Sequence, residues 1–261
     1  MGWFDRWRRR RIPPLHVAVD RGSGPVVVLV HGIASSAVTF ENLVPLLTDR
    51  HRVIAIDLLG FGESVAPSSA RFTIEEHVDA LSDTLDAIAL KGSFVLVGHS
   101  MGSLIASRYA ATHAKRVSKL VLVAPPVYVA PSALGDPVER AAMGLYLRAY
   151  EYLRNNKTFT MRNAAMLARL SPIKNVLEVS ERTWTAFVLS LENAIESQTT
   201  VSDIASVKGP VEVVYGTLDP FLMPGGLRIV EQMRHVTVHR VEGNDHLVRK
   251  RLARVIATAI G

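Results

Sequence analysis

Apolar residues occur along this chain in two patterns that alternate. One is a short continuous run, and the other is the three- and four-residue spacing of a helix. The continuous runs, most of them rich in valine, isoleucine and leucine, predict strands at residues 16–20, 26–30, 52–57, 94–97, 120–124, 211–215 and 236–241. Runs this apolar are typical of strands buried on both faces of a parallel sheet. Apolar residues three and four apart predict the connecting helices, at about residues 40–47, 73–90, 101 onward and 247–260. The pattern therefore predicts an α/β protein with a mostly parallel central sheet flanked by helices.

The alternation of strands and helices stops between residues 125 and 207, where only helical spacing occurs. Because the alternation resumes after this segment, we expect it to be inserted into one continuous sheet. The predicted organisation has three parts. They are a basic, aromatic tail at residues 1–13, an α/β core at residues 14–124 and 208–261, and an inserted helical lid at residues 125–207.

The stretch Gly98-His99-Ser100-Met101-Gly102 lies between a predicted strand and a helix rich in small residues. The G-x-S-x-G spacing in that context predicts a nucleophile elbow, a sharp turn that raises the serine hydroxyl above the edge of the sheet. Glycine at the two outer positions avoids collisions with the neighbouring strand and helix. The alternative interpretation is an ordinary glycine-rich turn. On the elbow interpretation, Ser100 is a candidate nucleophile.

Composition and charge exclude several classes of function. With 261 residues, 48% hydrophobic and 21% charged, the chain has the composition of an ordinary globular protein. The absence of cysteine excludes disulfides and thiolate chemistry. Most of the formal net charge of +6 comes from five arginines within residues 1–13, so the rest of the chain is nearly neutral. No nucleic-acid partner is therefore expected.

The first twelve residues, MGWFDRWRRRRI, have two interpretations. One is a solvated, weakly ordered tail. The other is an interfacial anchor, in which Trp3, Phe4 and Trp7 enter an anionic membrane surface and the arginines contact its headgroups. No apolar stretch suits an export signal or a membrane span. We therefore expect a cytoplasmic location, with peripheral membrane contact through residues 1–12 as the alternative.

Several motifs in the chain match one known family. They are His31-Gly32 after a buried strand, Asp57-x-x-Gly60-x-Gly62-x-Ser64, the Gly98–Gly102 elbow, Gly216-x-x-Asp219 and Asp245-His246. Together they resemble the α/β-hydrolase family, particularly its lid-bearing bacterial esterase-like members, over nearly the whole chain apart from the first dozen residues. The resemblance implies the α/β-hydrolase fold and a triad in the chain order serine, acid, histidine, which Ser100, Asp219 and His246 supply.

The chemistry of a serine nucleophile requires a base and an acid. Ser100 is a weak nucleophile until a base takes its proton, and imidazole is suited to that task near neutral pH. Of nine histidines, His246 is the one in a loop directly after the last predicted strand. Asp219 would hold its ring in the productive tautomer, although an aspartate before Pro220 is also a common turn residue. Asp245 is badly placed for this role because adjacent side chains diverge.

An oxyanion requires hydrogen-bond donors near the nucleophile. The elbow offers the Met101 N–H, and the loop after the first core strand offers the Ile33 N–H. We predict these two backbone groups as the oxyanion hole. His31, Asp57 and Glu63 are interpreted as supports of the surrounding loops.

These residues predict a serine hydrolase that cleaves carboxylic esters of a small to medium apolar acyl substrate, with no metal or organic cofactor. Relatives that displace halides or open epoxides carry aspartate where this chain has Ser100, so those reactions are not expected. A carbon–carbon bond hydrolase, a perhydrolase and an acyltransferase remain alternatives on the same triad, although carbon–carbon hydrolases usually have tryptophan where this chain has Leu247. A non-catalytic ligand-binding protein is the alternative from another class. The oligomeric state, the acyl group and the alcohol stay open.

Overall fold

The computed structural model describes residues 12–129, 135–173 and 176–261. Its centre is a seven-stranded sheet in the order β1-β3-β2-β4-β5-β6-β7. The strands are β1 Val17–Arg21, β2 Val26–Val30, β3 Arg52–Ile56, β4 Phe94–His99, β5 Val117–Val123, β6 Val211–Gly216 and β7 Val236–Val241. The edge strand β1 pairs antiparallel with β3, and every other pairing is parallel. The predicted α/β fold with a mostly parallel sheet is confirmed.

Helices cover both faces of the sheet. They are α1 Val44–Leu47, α2 Ile74–Ala87, α3 Met101–Thr112, α4 Pro137–Asn155, α5 Lys157–Leu170, α6 Trp184–Ser190, α7 Thr200–Ser206, α8 Pro224–Glu231 and α9 Lys250–Ile260. Strand residues on one face pack against α2 and α3, and those on the other face pack against α9. None of the described helices is long and apolar enough to cross a membrane.

Two helices differ from the prediction. The helix expected at residues 40–47 is a 3-10 turn at Ala37–Phe40 followed by the short α1, since Pro45 cannot donate a helical hydrogen bond and favours a new helix start. The sequence pattern did not predict α8 because Gly225 and Gly226 lower its helix propensity. Gly226 is needed there, since a Cβ would overlap the carbonyl of Val127.

The parallel strands place the candidate residues at one edge of the sheet. Strand β4 ends beside Ser100, β6 ends three residues before Asp219, and β7 ends five residues before His246. Because the carboxyl ends of parallel strands share an edge, three distant parts of the sequence meet there.

The segment between β5 and β6, which carries helices α4 to α7, contacts the loops of this edge. The Tyr150 hydroxyl on α4 lies 2.6 Å from that of Tyr128, which follows β5. Farther along, the Glu178 N–H donates to the Ala34 carbonyl at 2.7 Å, and Arg182 donates to the carbonyl of Gly62 at 2.6 Å. The division into core and lid remains a prediction, and residues 1–11 of the predicted tail lie outside the described residues.

A buried histidine on α2 makes the stability of this fold depend on pH. His77 is fully buried, and neither ring nitrogen has a hydrogen-bond partner in the described part of the chain. Burial lowers its pKa to about 3, whereas an unfolded histidine titrates near 6.5. Between these values only the unfolded chain binds the proton, so stability is lost as the pH falls from about 6.5 towards 3.

We expect His77→Leu to flatten the pH dependence of the free energy of unfolding by about 1.4 kcal/mol per pH unit between roughly pH 6 and pH 4. Urea unfolding at several pH values measures this. Leu81→Met, a buried substitution on the same helix, is the matched control and should leave the slope unchanged. Parallel curves for the wild type and His77→Leu would show that His77 does not carry this dependence.

Candidate active site

Ser100 occupies a strained turn between β4 and α3. Its backbone has φ 53° and ψ −125°, a conformation that residues other than glycine rarely adopt. A Cβ at Gly98 would overlap the Gly102 backbone, and one at Gly102 would overlap the carbonyls of Val30 and His31. The two glycines therefore let α3 approach both neighbouring strands with Ser100 at the turn.

The loop after β2 lies directly against Ser100. A Cβ built on Gly32 would be 2.8 Å from the Ser100 Cβ and 3.3 Å from its Oγ. The ring of His31 determines how this loop is oriented, because its Nδ1 donates to the Gly32 carbonyl at 2.7 Å and its Nε2 accepts from the Leu58 N–H at 2.8 Å. Burial lowers the pKa of His31 to about 4, so the ring is neutral, as these two bonds require.

The orientation of the Gly32 carbonyl also determines that of the next N–H. In a trans peptide the carbonyl oxygen and the following N–H point in opposite directions, so the bond from His31 directs the Ile33 N–H away from His31. In the described part of the chain, neither the Ile33 nor the Met101 N–H donates to a protein acceptor. Both predicted oxyanion donors thus belong to the two segments that meet at Ser100, and their role as an oxyanion hole stays a prediction.

His246 and Asp219 meet at the same edge of the sheet. The His246 Nδ1 donates to the Asp219 Oδ2 at 2.7 Å. The other carboxylate oxygen of Asp219 accepts the Phe221 N–H at 2.9 Å, and the Phe221 ring lies edge-on to the His246 ring. Asp219 is therefore held by two donors. Because Nδ1 carries the proton that Asp219 accepts, the Nε2 of His246 is bare and can take a proton, as the predicted role of base requires.

The other acid near His246 has a different role. Asp245 accepts from the Leu247 N–H at 3.2 Å and from Arg249 Nε at 2.9 Å, whereas the hydrogen bond to the His246 ring comes from Asp219. Between Ser100 Oγ and the His246 ring no hydrogen bond is formed in the described part of the chain. Bonds of this kind often tighten only when substrate is present.

The sequence pattern does not single out His99, which contacts the predicted base His246. The His99 Nε2 lies 2.9 Å from the carbonyl oxygen of His246, and the two rings are 4.8 Å apart. A carbonyl only accepts, so Nε2 carries the proton and the buried Nδ1, which has no partner in the described residues, is bare. Burial lowers the pKa of His99 to about 3 and keeps the ring neutral. His99 is thus a positioning residue for His246.

If His246 is the base that the sequence predicts, we expect His99→Leu to lower kcat by about 10- to 100-fold with little change in KM, because a small displacement of a base is enough for such a loss. His99→Gln can present an N–H near the position of Nε2 and should recover most of the loss. Steady-state kinetics on a soluble ester measure both. Equal losses in the two variants would indicate a packing role only.

An acidic residue after β3 organises the loops around the site. Asp57 is buried and accepts from the Ala37 N–H at 2.8 Å, the Glu63 N–H at 3.0 Å and the His16 Nδ1 at 2.9 Å. Burial raises the pKa of Asp57, but these hydrogen bonds outweigh burial and the net pKa is lowered. The ionised carboxylate joins the loop that carries Ile33 to the loop after β3.

A surface cavity of about 340 Å³ lies beside Asp219, between β6, β7 and α8. Its lining includes neither Ser100 nor His246. It is therefore not the space in which those two residues would act on a substrate.

Proteins similar to this chain carry names of different activities. The chain is 39% identical over 121 residues to "Probable lysophospholipase BODYGUARD 4" of Arabidopsis thaliana, covering 44% of this chain and 28% of that protein. It is 34% identical over 120 residues to haloalkane dehalogenase 2 of Mycobacterium tuberculosis, covering 46% of this chain and 40% of that protein. The matched part of the chain thus spans well under half the length of these curated relatives.

Solved structures extend the similarity to the whole fold. The crystal structure of E-2-(acetamidomethylene)succinate hydrolase superposes with a TM-score of 0.66 at 23% identity, covering 92% of this chain and 91% of that one. At this identity the likeness concerns the fold alone. A sequence profile described as the alpha/beta hydrolase fold matches residues 25–248. This chain belongs to the α/β-hydrolase family.

Proposed function

We propose that this protein is a serine hydrolase that cleaves carboxylic esters through an acyl-enzyme on Ser100. The observation that carries the proposal is the 2.7 Å bond between His246 Nδ1 and Asp219, formed at the sheet edge where the strained turn presents Ser100. A histidine oriented by a buried carboxylate is what a serine nucleophile needs for activation.

In the proposed reaction, Ser100 Oγ attacks the ester carbonyl carbon while His246 Nε2 takes the hydroxyl proton. The N–H groups of Ile33 and Met101 stabilise the oxyanion of the tetrahedral intermediate. As the C–O bond breaks, His246 returns its proton to the leaving alcohol. A water molecule then attacks the acyl-enzyme with His246 again as the base, and the acid product leaves with Ser100 restored.

The residue at the elbow distinguishes the proposed ester hydrolysis from one of the two activities in the relatives' names. Hydrolysis of an ester agrees with the lysophospholipase name, whereas the dehalogenase members of the family carry aspartate at the elbow and this chain has Ser100. Aromatic residues beside the acid, Phe221 and Tyr146 among them, favour an apolar acyl group. The helices between β5 and β6 would form the lid over that group.

The test combines covalent labelling with a panel of substrates. We expect a fluorophosphonate probe to modify Ser100, as located by peptide mass spectrometry, and p-nitrophenyl esters of graded acyl length to be hydrolysed. A carbon–carbon bond hydrolase would turn over vinylogous diketones faster than any ester. A perhydrolase or an acyltransferase would give product only with peroxide or an alcohol as acceptor. Absence of labelling would contradict every serine mechanism and favour a ligand-binding protein.

A further inference from the structure

The outer surface of α4 and α5 is unusually apolar. Of the twelve large hydrophobic residues that are exposed in the described part of the chain, seven lie on these two helices. Val138, Leu145 and Tyr152 follow each other at seven-residue intervals, so they form one stripe along α4. Tyr152 meets Phe159 on α5 with ring centroids 5.3 Å apart, which makes the apolar surface continuous across the two helices. We call this set, with Met166, Leu167 and Leu170 of α5, the outer lid surface.

The opposite side of α4 faces the core. Met143 and Tyr150 are buried there, and Tyr150 bonds to Tyr128 beside the loop of Asp219. Packing inside the protein thus accounts for one face of α4 and leaves the outer lid surface without a partner among the described residues. Exposed apolar area of this extent marks an interaction site more often than a neutral surface.

Charge identifies the partner. Helices α4 and α5 contain six basic and two acidic residues, whereas residues 171–207 contain two basic and five acidic ones. Basic and acidic residues nearly balance over the insertion as a whole, but the basic ones lie mostly on α4 and α5 and the acidic ones mostly after these helices. Arg148, Arg162 and Arg169 are exposed and form no ion pair with described residues, while Glu139 is neutralised by Arg228 at 2.6 Å.

We propose that the outer lid surface docks on an anionic lipid bilayer. Leucine, methionine and aromatic side chains would enter the boundary between headgroups and acyl chains, and the arginines beside them would contact lipid phosphates. Like charge disfavours two other occupants, namely the arginine-rich residues 1–11 and the same surface of a second copy. The proposal does not depend on the reaction at Ser100.

The test is sedimentation of the full chain with vesicles of phosphatidylcholine alone or mixed with phosphatidylglycerol. We expect binding to the anionic vesicles only, weakened by salt. Each of Arg148→Gln, Arg162→Gln and Arg169→Gln should reduce the partition coefficient about fivefold, and Leu145→Ser should reduce it about tenfold. The matched controls, Leu46→Ser on α1 and Arg50→Gln in the turn that follows it, should bind like the wild type, since both residues are exposed outside the outer lid surface.

A second set of measurements separates this surface from the tail. The same substitutions in a chain lacking residues 1–12 should cause the same fold losses, and circular dichroism should match that of the parent. Unchanged vesicle binding by Leu145→Ser and the arginine variants would overturn the proposal. So would a dimer in size-exclusion chromatography that Leu145→Ser dissociates, or equal binding to neutral and anionic vesicles. Binding of an acidic protein to the outer lid surface, together with no binding to vesicles, would also overturn it.

Discussion

Replacing Ser100 with alanine is expected to abolish ester hydrolysis, with a loss in turnover of roughly 10⁶-fold, and to abolish labelling by a fluorophosphonate. Alanine keeps the Cβ, so the strain at φ 53° is the same and the free energy of unfolding should change by no more than about 0.5 kcal/mol. Turnover of a p-nitrophenyl ester, in-gel labelling and urea unfolding measure the three quantities.

The matched control for this substitution is Ser107→Ala on α3, the helix that follows Ser100. Ser107 is also buried, but its hydroxyl donates to the Ser103 carbonyl at 2.8 Å inside α3. Turnover and labelling should both survive its removal. Labelling that persists in Ser100→Ala would place the nucleophile elsewhere and remove the basis of the proposed function.

Asp219→Asn is expected to lower turnover by roughly 10⁴-fold, as amide replacements of a triad acid do. The structure supplies the reason. The Phe221 N–H requires an oxygen acceptor at 2.9 Å, so the amide oxygen of the asparagine stays there and its NH₂ group faces His246 Nδ1. Nδ1 would then have to accept, and the proton would move to Nε2, where it prevents the ring from taking the proton of Ser100.

Asp245→Asn is the comparison that assigns the acid. Asp245 is bonded to Arg249 and to the Leu247 N–H, so its replacement should cost about tenfold or less through a looser loop around His246. Turnover of the two variants on the same ester decides the assignment. A nearly inactive Asp245→Asn beside a nearly normal Asp219→Asn would show that the wrong carboxylate has been named.

Sequence patterns predict the centre of the sheet well because its inner strands are buried on both faces. The run from Val26 to Val30 and the run before Ser100 are short, apolar and rich in valine, a pattern that is typical of a strand inside a parallel sheet. Helical connections between such strands make the sheet parallel, so the carboxyl ends of the strands share one edge, although the order of the strands is not predicted. Placing Asp219 and His246 at the edge that carries Ser100 needs no more than that.

Other features are not predictable because they depend on contacts between distant segments. His99 and His246 are 147 residues apart, and nothing local signals that one ring will bond to the backbone of the other. The role of His31 is visible only when its ring is seen between Gly32 and Leu58. The helix α8 escapes detection for a related reason, since the tertiary contact of Gly226 overrides its low propensity.

The hydrogen bond from the Glu178 N–H to the Ala34 carbonyl limits how this protein can be re-engineered. Ala34 has φ 53° and follows Ile33, so a segment of the insertion holds a strained residue next to a proposed oxyanion donor. Exchanging the whole insertion for that of a relative would alter substrate selection and the oxyanion loop together. A chimaera that keeps residues 176–183, with Arg182 still bonded to Gly62, would confine the exchange to the helices between β5 and β6.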